Sequence, residues 1–210
     1  MSNFKKFVFI GLIILFVGFL GSKYLIKIIK NNNPTFLNSA KEVTLTNGDY
    51  MVGKDLNAGF YDVISLSDEV SFMPLKLSKG DKIVGQRLEK NEHALIEGSG
   101  KVRLLPAKYE PLTLNKNKEY RINHSGKYIV GKQIPVGRYN ISYQIKGNEK
   151  INNRPFVQVL PGYGKNTLNS LTFEKKLSYD IELKTGNLLE VHKSLMEEYD
   201  SVVILLKPNL

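Results

Sequence analysis

The apolar positions divide the chain into two unlike parts. From Phe7 to Leu20 no polar side chain interrupts the run, and Lys5, Lys6 and Lys23 flank it. Downstream the apolar residues come in short stretches that alternate with polar ones and stop at Gly, Asn or Pro. Arg138–Ile145 is the clearest case: a period of two places Tyr139, Ile141, Tyr143 and Ile145 on the inward face of a strand. Tyr50 and Val52 share an inward face in the same way, as do Tyr128 and Val130. Only Leu189–Tyr199 suggests a helical turn or two. The pattern predicts an all-β body behind one long apolar helix.

That body contains an internal repeat. Gly48-Asp49-Tyr50-Met51-Val52-Gly53-Lys54 returns as Gly126-Lys127-Tyr128-Ile129-Val130-Gly131-Lys132, and the offset of 78 residues holds through Val63 and Ile141 without a gap. A fixed period of this kind marks a repeated supersecondary unit. Asn47-Gly48 and Ser125-Gly126 have hairpin-turn composition. Asn57-Ala58-Gly59 and Pro135-Val136-Gly137 predict tight turns with glycine at positive φ. Leu77-Ser78-Lys79-Gly80-Asp81 resembles Leu183-Lys184-Thr185-Gly186-Asn187, and Val102–Pro106 resembles Val203–Pro208. On that alignment the tyrosine-to-glycine spacing grows from 19 residues (Tyr61 to Gly80) to 47 (Tyr139 to Gly186). The second unit then holds a 28-residue insertion near 146–179, expected to form surface loops. The fold class expected is all-β: two related small β-sandwich or barrel-like repeats after an N-terminal transmembrane helix. The divisions are an anchor over 1–30, a linker over 31–42, a first repeat over 43–111 and a second over 112–210.

The pattern Gly-x-Tyr-x-Val-Gly-x-Asp/Gln-Leu/Ile-x-x-Gly-x-Tyr, closed by Leu-x-x-Gly-Asp/Asn, resembles repeat modules of secreted and membrane-anchored proteins of Gram-positive bacteria. The resemblance covers Val43–Leu210 in two copies. It implies an extracytoplasmic β module and supplies no catalytic residue. Gln133 stands where the first copy has Asp55.

Phe7–Ile29 as a helix would span about 34 Å at ~1.5 Å per residue, enough to cross a bilayer core if Lys23 and Lys27 extend to its surface. No Ala-x-Ala-like cleavage site follows, which favours a retained anchor over a cleaved signal. Pro34 after Asn31-Asn32-Asn33 ends the helix. A long C-terminal domain behind a short basic leader is expected outside the cytoplasm, giving a single-pass cell-membrane protein.

The net charge of +10 at first suggests a nucleic-acid partner, but its location argues otherwise. Five lysines and no acid lie in residues 1–30. Residues 41–111 hold 10 basic and 11 acidic side chains, and residues 112–210 hold 15 and 9. The excess belongs to the second repeat, where Arg154, Lys165, Lys175 and Lys176 fall in the expected insertion. With Lys54 and Lys132, present in both copies, these are the candidates for an anionic ligand such as an envelope polymer or lipid headgroups; no nucleic acid is expected.

Cysteine is absent, which excludes disulfides and thiolate chemistry. Asp49, Asp55 and Asp62 are the candidates for a cation site, though their partners in the second copy are Lys127, Gln133 and Asn140. His93, His124 and His192 lack metal-ligand spacing. Pro161–Thr167 contains Gly164-Lys165 without phosphate-loop spacing and reads as a hairpin loop. No cofactor is expected. The chain is thus expected to be a non-enzymatic, membrane-anchored protein presenting two β modules outside the cell for envelope binding or structural contact. The alternatives are a cell-wall hydrolase with an unrecognised site and an accessory or sensor subunit of a membrane complex.

Overall fold

The computed structural model describes residues 38–146, 154–174, 176–194 and 201–209. The expected anchor over 1–30 lies outside them. Among the described residues no helix is long and apolar enough to cross a membrane, and the regular structure is all β.

Among the described residues sixteen strands follow one another. The first eight are β1 (Val43–Leu45), β2 (Gly48–Met51), β3 (Gly59–Ser65), β4 (Val70–Phe72), β5 (Leu75–Leu77), β6 (Lys82–Leu88), β7 (His93–Gly98) and β8 (Val102–Pro106). The rest are β9 (Tyr120–Ile122), β10 (Ser125–Ile129), β11 (Gly137–Ile145), β12 (Phe156–Leu160), β13 (Asn169–Thr172), β14 (Ser178–Leu183), β15 (Leu188–His192) and β16 (Val202–Pro208). In the first half, β1-β8-β3-β6 lie side by side, and β2-β7-β4-β5 form a second sheet. In the second half, β9-β16-β11-β14 form one sheet and β10-β15-β12-β13 lie side by side. Each pairing in one half thus has its counterpart in the other. β6 and β10 pair in parallel, Ser125 opposite Ile83 and Gly126 opposite Val84, and join one sheet from each half into an eight-stranded sheet.

Alternation along the strands builds the cores. In the first half Tyr61, Val63, Val102 and Leu104 from one sheet meet Phe72, Leu77, Ala94 and Ile96 from the other. In the second half Tyr139, Ile141, Ile204 and Leu206 meet Tyr128, Val157, Val159 and Val191. A third cluster, including Phe60, Tyr109, Ile129 and Tyr163, draws on both halves beside the β6–β10 joint. Tyr143 and Ile145, expected to be inward, are only half-buried.

The tyrosines of the repeated pattern latch the chain at its corners. Tyr50 Oη donates to Thr46 O, Tyr61 Oη to Asn57 O, Tyr128 Oη to His124 O and Tyr139 Oη to Pro135 O, each four residues upstream. Each ring packs at the core while its hydroxyl satisfies a carbonyl that the turning chain has taken out of a ladder.

These corners correct the hairpin reading. β1 pairs with β8 while β2 pairs with β7, and β9 pairs with β16 while β10 pairs with β15. Asn47-Gly48 and Ser125-Gly126 therefore carry the chain from one sheet to another. Gly59 has no positive φ; a Cβ there would lie 2.6 Å from Asn38 Oδ1 and 2.7 Å from Ala40 N. Gly137 does take a positive φ, 159°, as do Gly126 at 132° and, further from the extended range, Gly53 and Gly131 at 93° and 87°. Of Leu189–Tyr199, where a helical turn or two was expected, the first part belongs to the strand Leu188–His192, which lies between β10 and β12 and fills both ladders, and residues 195–199 lie outside those described.

The alignment of the closing segments also changes. Val52 N–H donates to Glu92 O and Asn91 N–H to Val52 O; in the second half Val130 N–H donates to Asn187 O and Gly186 N–H to Val130 O. Leu183–Asn187 therefore stands where Leu88–Glu92 stands, and the net insertion is shorter than the sequence alignment implied. Much of the 146–179 stretch is sheet: β12 and β13 pair as β4 and β5 do, and Val157, Val159 and Leu171 are buried. Pro161–Thr167 does lie in the connection of the antiparallel β12–β13 pair.

Two substitutions probe the joint and the latches. A Cβ on Gly126 would sit 2.1 Å from Val84 O, and φ there is 132°. Gly126→Ala should lower the unfolding free energy by roughly 3 kcal/mol or more, since strands must part in addition to the backbone strain. Gly80→Ala, at φ 93° with nothing within 4 Å of the added carbon, should show only the strain of about 1 kcal/mol. Equal denaturation midpoints for the two variants would refute the close approach at the joint. Tyr139→Phe should cost about 1 kcal/mol by the same measurement, the net value of one hydrogen bond.

Candidate functional site

The site begins with an irregularity in the first half. Between the pairs Tyr61↔Gln86 and Val63↔Ile83, β6 carries Val84 and Gly85 where β3 carries only Asp62. Such a bulge bends its strand and leaves a backbone group outside the ladder. Gly85 takes φ 64°, and a Cβ there would lie 2.7 Å from Lys127 O, so only glycine fits. Its N–H donates to Asp62 Oδ1 at 3.1 Å, and its carbonyl accepts from Tyr163 Oη at 3.0 Å. The Asp62 carboxylate is buried and forms an ion pair with Lys82 Nζ at 3.1 Å. In the second half the corresponding pair Asn140↔Asp180 is regular, and Asn140 Nδ2 donates to Asp180 Oδ1.

The chain leaving β8 then covers this bulge. Tyr109 adopts φ 53° and is buried, its hydroxyl 3.1 Å from that of Tyr163. Burial, then the neighbouring Tyr163 and the Asp62 charge, pushes the Tyr109 phenol far above its ordinary range. Burial raises Tyr163 as well. Both phenols stay protonated across the physiological range and can serve as neutral hydrogen-bond groups. Lys132 Nζ lies 5.6 Å from the centroid of the Tyr109 ring, and burial lowers its pKa.

Between this covering segment and the two halves lies a cleft of about 440 Å³. The first half contributes Asp62, Ile64, Lys82 and Leu105, and the connection contributes Lys108, Tyr109 and Glu110. The second half contributes Arg121, His124 and Tyr128. The size lies within the usual range for small-molecule sites, and the lining mixes apolar surface with a few charges. Lys82 and Asp62 neutralise one another. Among the described residues the side chains of Lys108, Glu110 and Arg121 make no hydrogen bond or ion pair. Arg121 is half-buried between the core residues Tyr120 and Ile122.

The residues singled out from sequence occupy separate places. Asp49 pairs with His93 at 2.9 Å, Asp55 Oδ2 accepts Met51 N–H at 2.8 Å, and Asp62 staples the bulge. Gln133 Oε1 accepts Ile129 N–H at 2.9 Å, which explains why an acid and an amide interchange at the Asp55 position. Among the described residues no group of three or more His, Asp or Glu side chains could hold a metal ion. Arg154 lies over the Tyr143 ring and Lys176 over the Tyr179 ring. Lys54 and Lys165 are exposed, and Lys175 lies outside the described residues. Of these candidates Asp62 lines the cleft and Lys132 lies near it, through Tyr109. Arg121 and Lys108 were missed, since neither belongs to the repeated pattern or the insertion.

Comparison with known protein families, curated proteins and solved structures finds no match for this chain.

Beside the joint, Glu190 of β15 receives Lys127 Nζ at 2.9 Å and His192 Nε2 at 3.4 Å. Burial works to raise its pKa, but these two partners hold the carboxyl down to about 2. A depressed carboxylate contributes stability above its unfolded value near 4.3 and loses it as pH falls through the folded value. Glu190→Gln should therefore unfold about 1–2 kcal/mol more easily than the parent at pH 6, after allowance for solvent screening. That gap should close between about pH 4.5 and 2, as read by denaturant titration. A gap independent of pH would rule out the ion-pair account.

Proposed function

We propose that this chain is a non-enzymatic, membrane-anchored binding protein whose duplicated β-sandwich-like module faces the outside of the cell and contacts the envelope. The cleft at the junction of the two halves carries this reading. Its walls come from both halves and from their connection, so a bound group would meet surface that neither half offers alone. The recurrence of every strand pairing supports duplication, along with the matching latches at Tyr61 and Tyr139. The continuous apolar run from Phe7 to Leu20 supports the anchor. The buried carboxylate of the cleft, Asp62, is already engaged by Gly85 N–H and Lys82, which suits a structural role better than proton transfer.

Two measurements test the reading. Protease added to intact cells or protoplasts should digest the β region and leave the first 30 or so residues in the membrane fraction; full protection would reverse the orientation. The full chain in neutral detergent should bind fractionated envelope polymers or anionic vesicles saturably without altering them. Chemical turnover of an envelope polymer would replace the binding reading with the hydrolase alternative.

A further inference from the structure

We propose that the cleft binds a small organic anion, with its carboxylate or phosphate held by Arg121 and its apolar part lying against Ile64, Leu105 and Tyr109. This rests on the binding reading above and gives it a specific site and ligand chemistry.

The argument starts from β9. In Tyr120-Arg121-Ile122 the flanking side chains enter the second core, and alternation turns Arg121 to the other side of the strand. Thr44 holds the matching place in β1, and the cation of that cross-strand pair is Arg103 of β8, which is exposed and paired with Glu42. Arg121 lines the cleft half-buried, and among the described residues its guanidinium has no carboxylate and no hydrogen-bond acceptor. A partly desolvated guanidinium without a counter-charge is unfavourable, and a ligand oxyanion would supply the two parallel hydrogen bonds its fork is shaped for.

The remaining charges agree. Asp62 is neutralised by Lys82 and by Gly85 N–H, leaving Lys108 and Arg121 against Glu110. The free balance is cationic, while Glu110 opposes a highly charged polyanion. Apolar walls from Ile64, Leu105 and Tyr109 call for more than a bare inorganic ion. Tyr109 is held by its hydroxyl contact with Tyr163, which is in turn tied to Gly85 O, so this wall is fixed before any ligand arrives.

The test uses calorimetric titration of the full chain in neutral detergent at pH 7. N-acetyl-leucine serves as the carboxylate probe, phenyl phosphate as the phosphate probe and inorganic phosphate as the head group alone. The expected result is saturable binding of one organic probe per chain, tighter than inorganic phosphate, and the stronger of the two organic probes identifies the head group. Arg121→Gln should weaken that binding roughly tenfold to a hundredfold, the worth of a charge-assisted contact. Arg103→Gln, which removes a cation that is paired with Glu42 and does not line the cleft, should weaken it far less. Leu105→Trp, which fills the cleft without touching a charge, should also abolish binding and covers the case in which Arg121→Gln fails to fold. Absence of saturable binding up to roughly 10 mM, beyond the weak end of specific recognition, overturns the proposal. Equal loss in the Arg121 and Arg103 variants overturns it too, as does binding unaffected by either cleft variant. Envelope binding that persists in Arg121→Gln would remove the cleft as its site while leaving the broader binding reading in place.

Discussion

The joint between the two halves depends on how one bulge satisfies its own backbone. Val84 and Gly85 crowd into the space of one residue, which bends β6 and sends Val84 into the core of the other half. Without Asp62 the Gly85 N–H would be an unmet donor, and without Tyr163 its carbonyl would lack its side-chain donor. A buried unmet backbone group costs about 1–3 kcal/mol. The cluster around Phe60, Ile129 and Tyr163 then excludes water from the region, which strengthens those hydrogen bonds. Bulge, acid, phenol and apolar cover form one mutually dependent unit, and the cleft is the space left beside it.

The same logic runs through the repeated pattern. Four tyrosines close corners by reaching four residues back, and Asp55 and Gln133 each accept a backbone N–H four residues before them. The pattern's tyrosines and its acid-or-amide position are thus hydrogen-bonding requirements of the corners. A corner needs an acceptor of the right reach rather than a charge, so Asp serves in one half and Gln in the other.

Much of the sheet was legible because period-two alternation is a direct image of a half-buried strand. Tyr139 and Ile141 entered the core as that rule requires, as did Val52 and Val130. Strand partners were not legible, since alternation names a face and says nothing about the neighbour. Asn47-Gly48 has the composition of a hairpin turn and serves instead as a crossing between sheets. The closing glycine was misaligned because Asn91, at φ 71°, takes the place that Gly186 takes at φ 82°. Matching glycine to glycine selected Gly80 in its stead. For the cleft, the one available signal was a lone arginine between two core residues in a three-residue strand. That signal is weak beside the recurring pattern, which points to Lys54 and Lys132 instead.

The joint has a direction. β6 of the first half meets β10 of the second, and the counterparts of those strands, β14 and β2, each lie at the edge of a sheet among the described residues. A contact that joins unlike edges does not close on itself, and a third unit added by the same rule would continue the row. The β14 edge is built differently. Where β6 bends at Gly85, β14 has Asp180, exposed and engaged by Asn140 and Asn209, in a ladder that runs straight. With no bulge there is no turned-out Val84 to enter a neighbour's core, and a charged edge strand discourages pairing with another chain. One extra residue, Val84-Gly85 where the second half has Asp180 alone, thus separates an edge built to be joined from an edge built to stay apart.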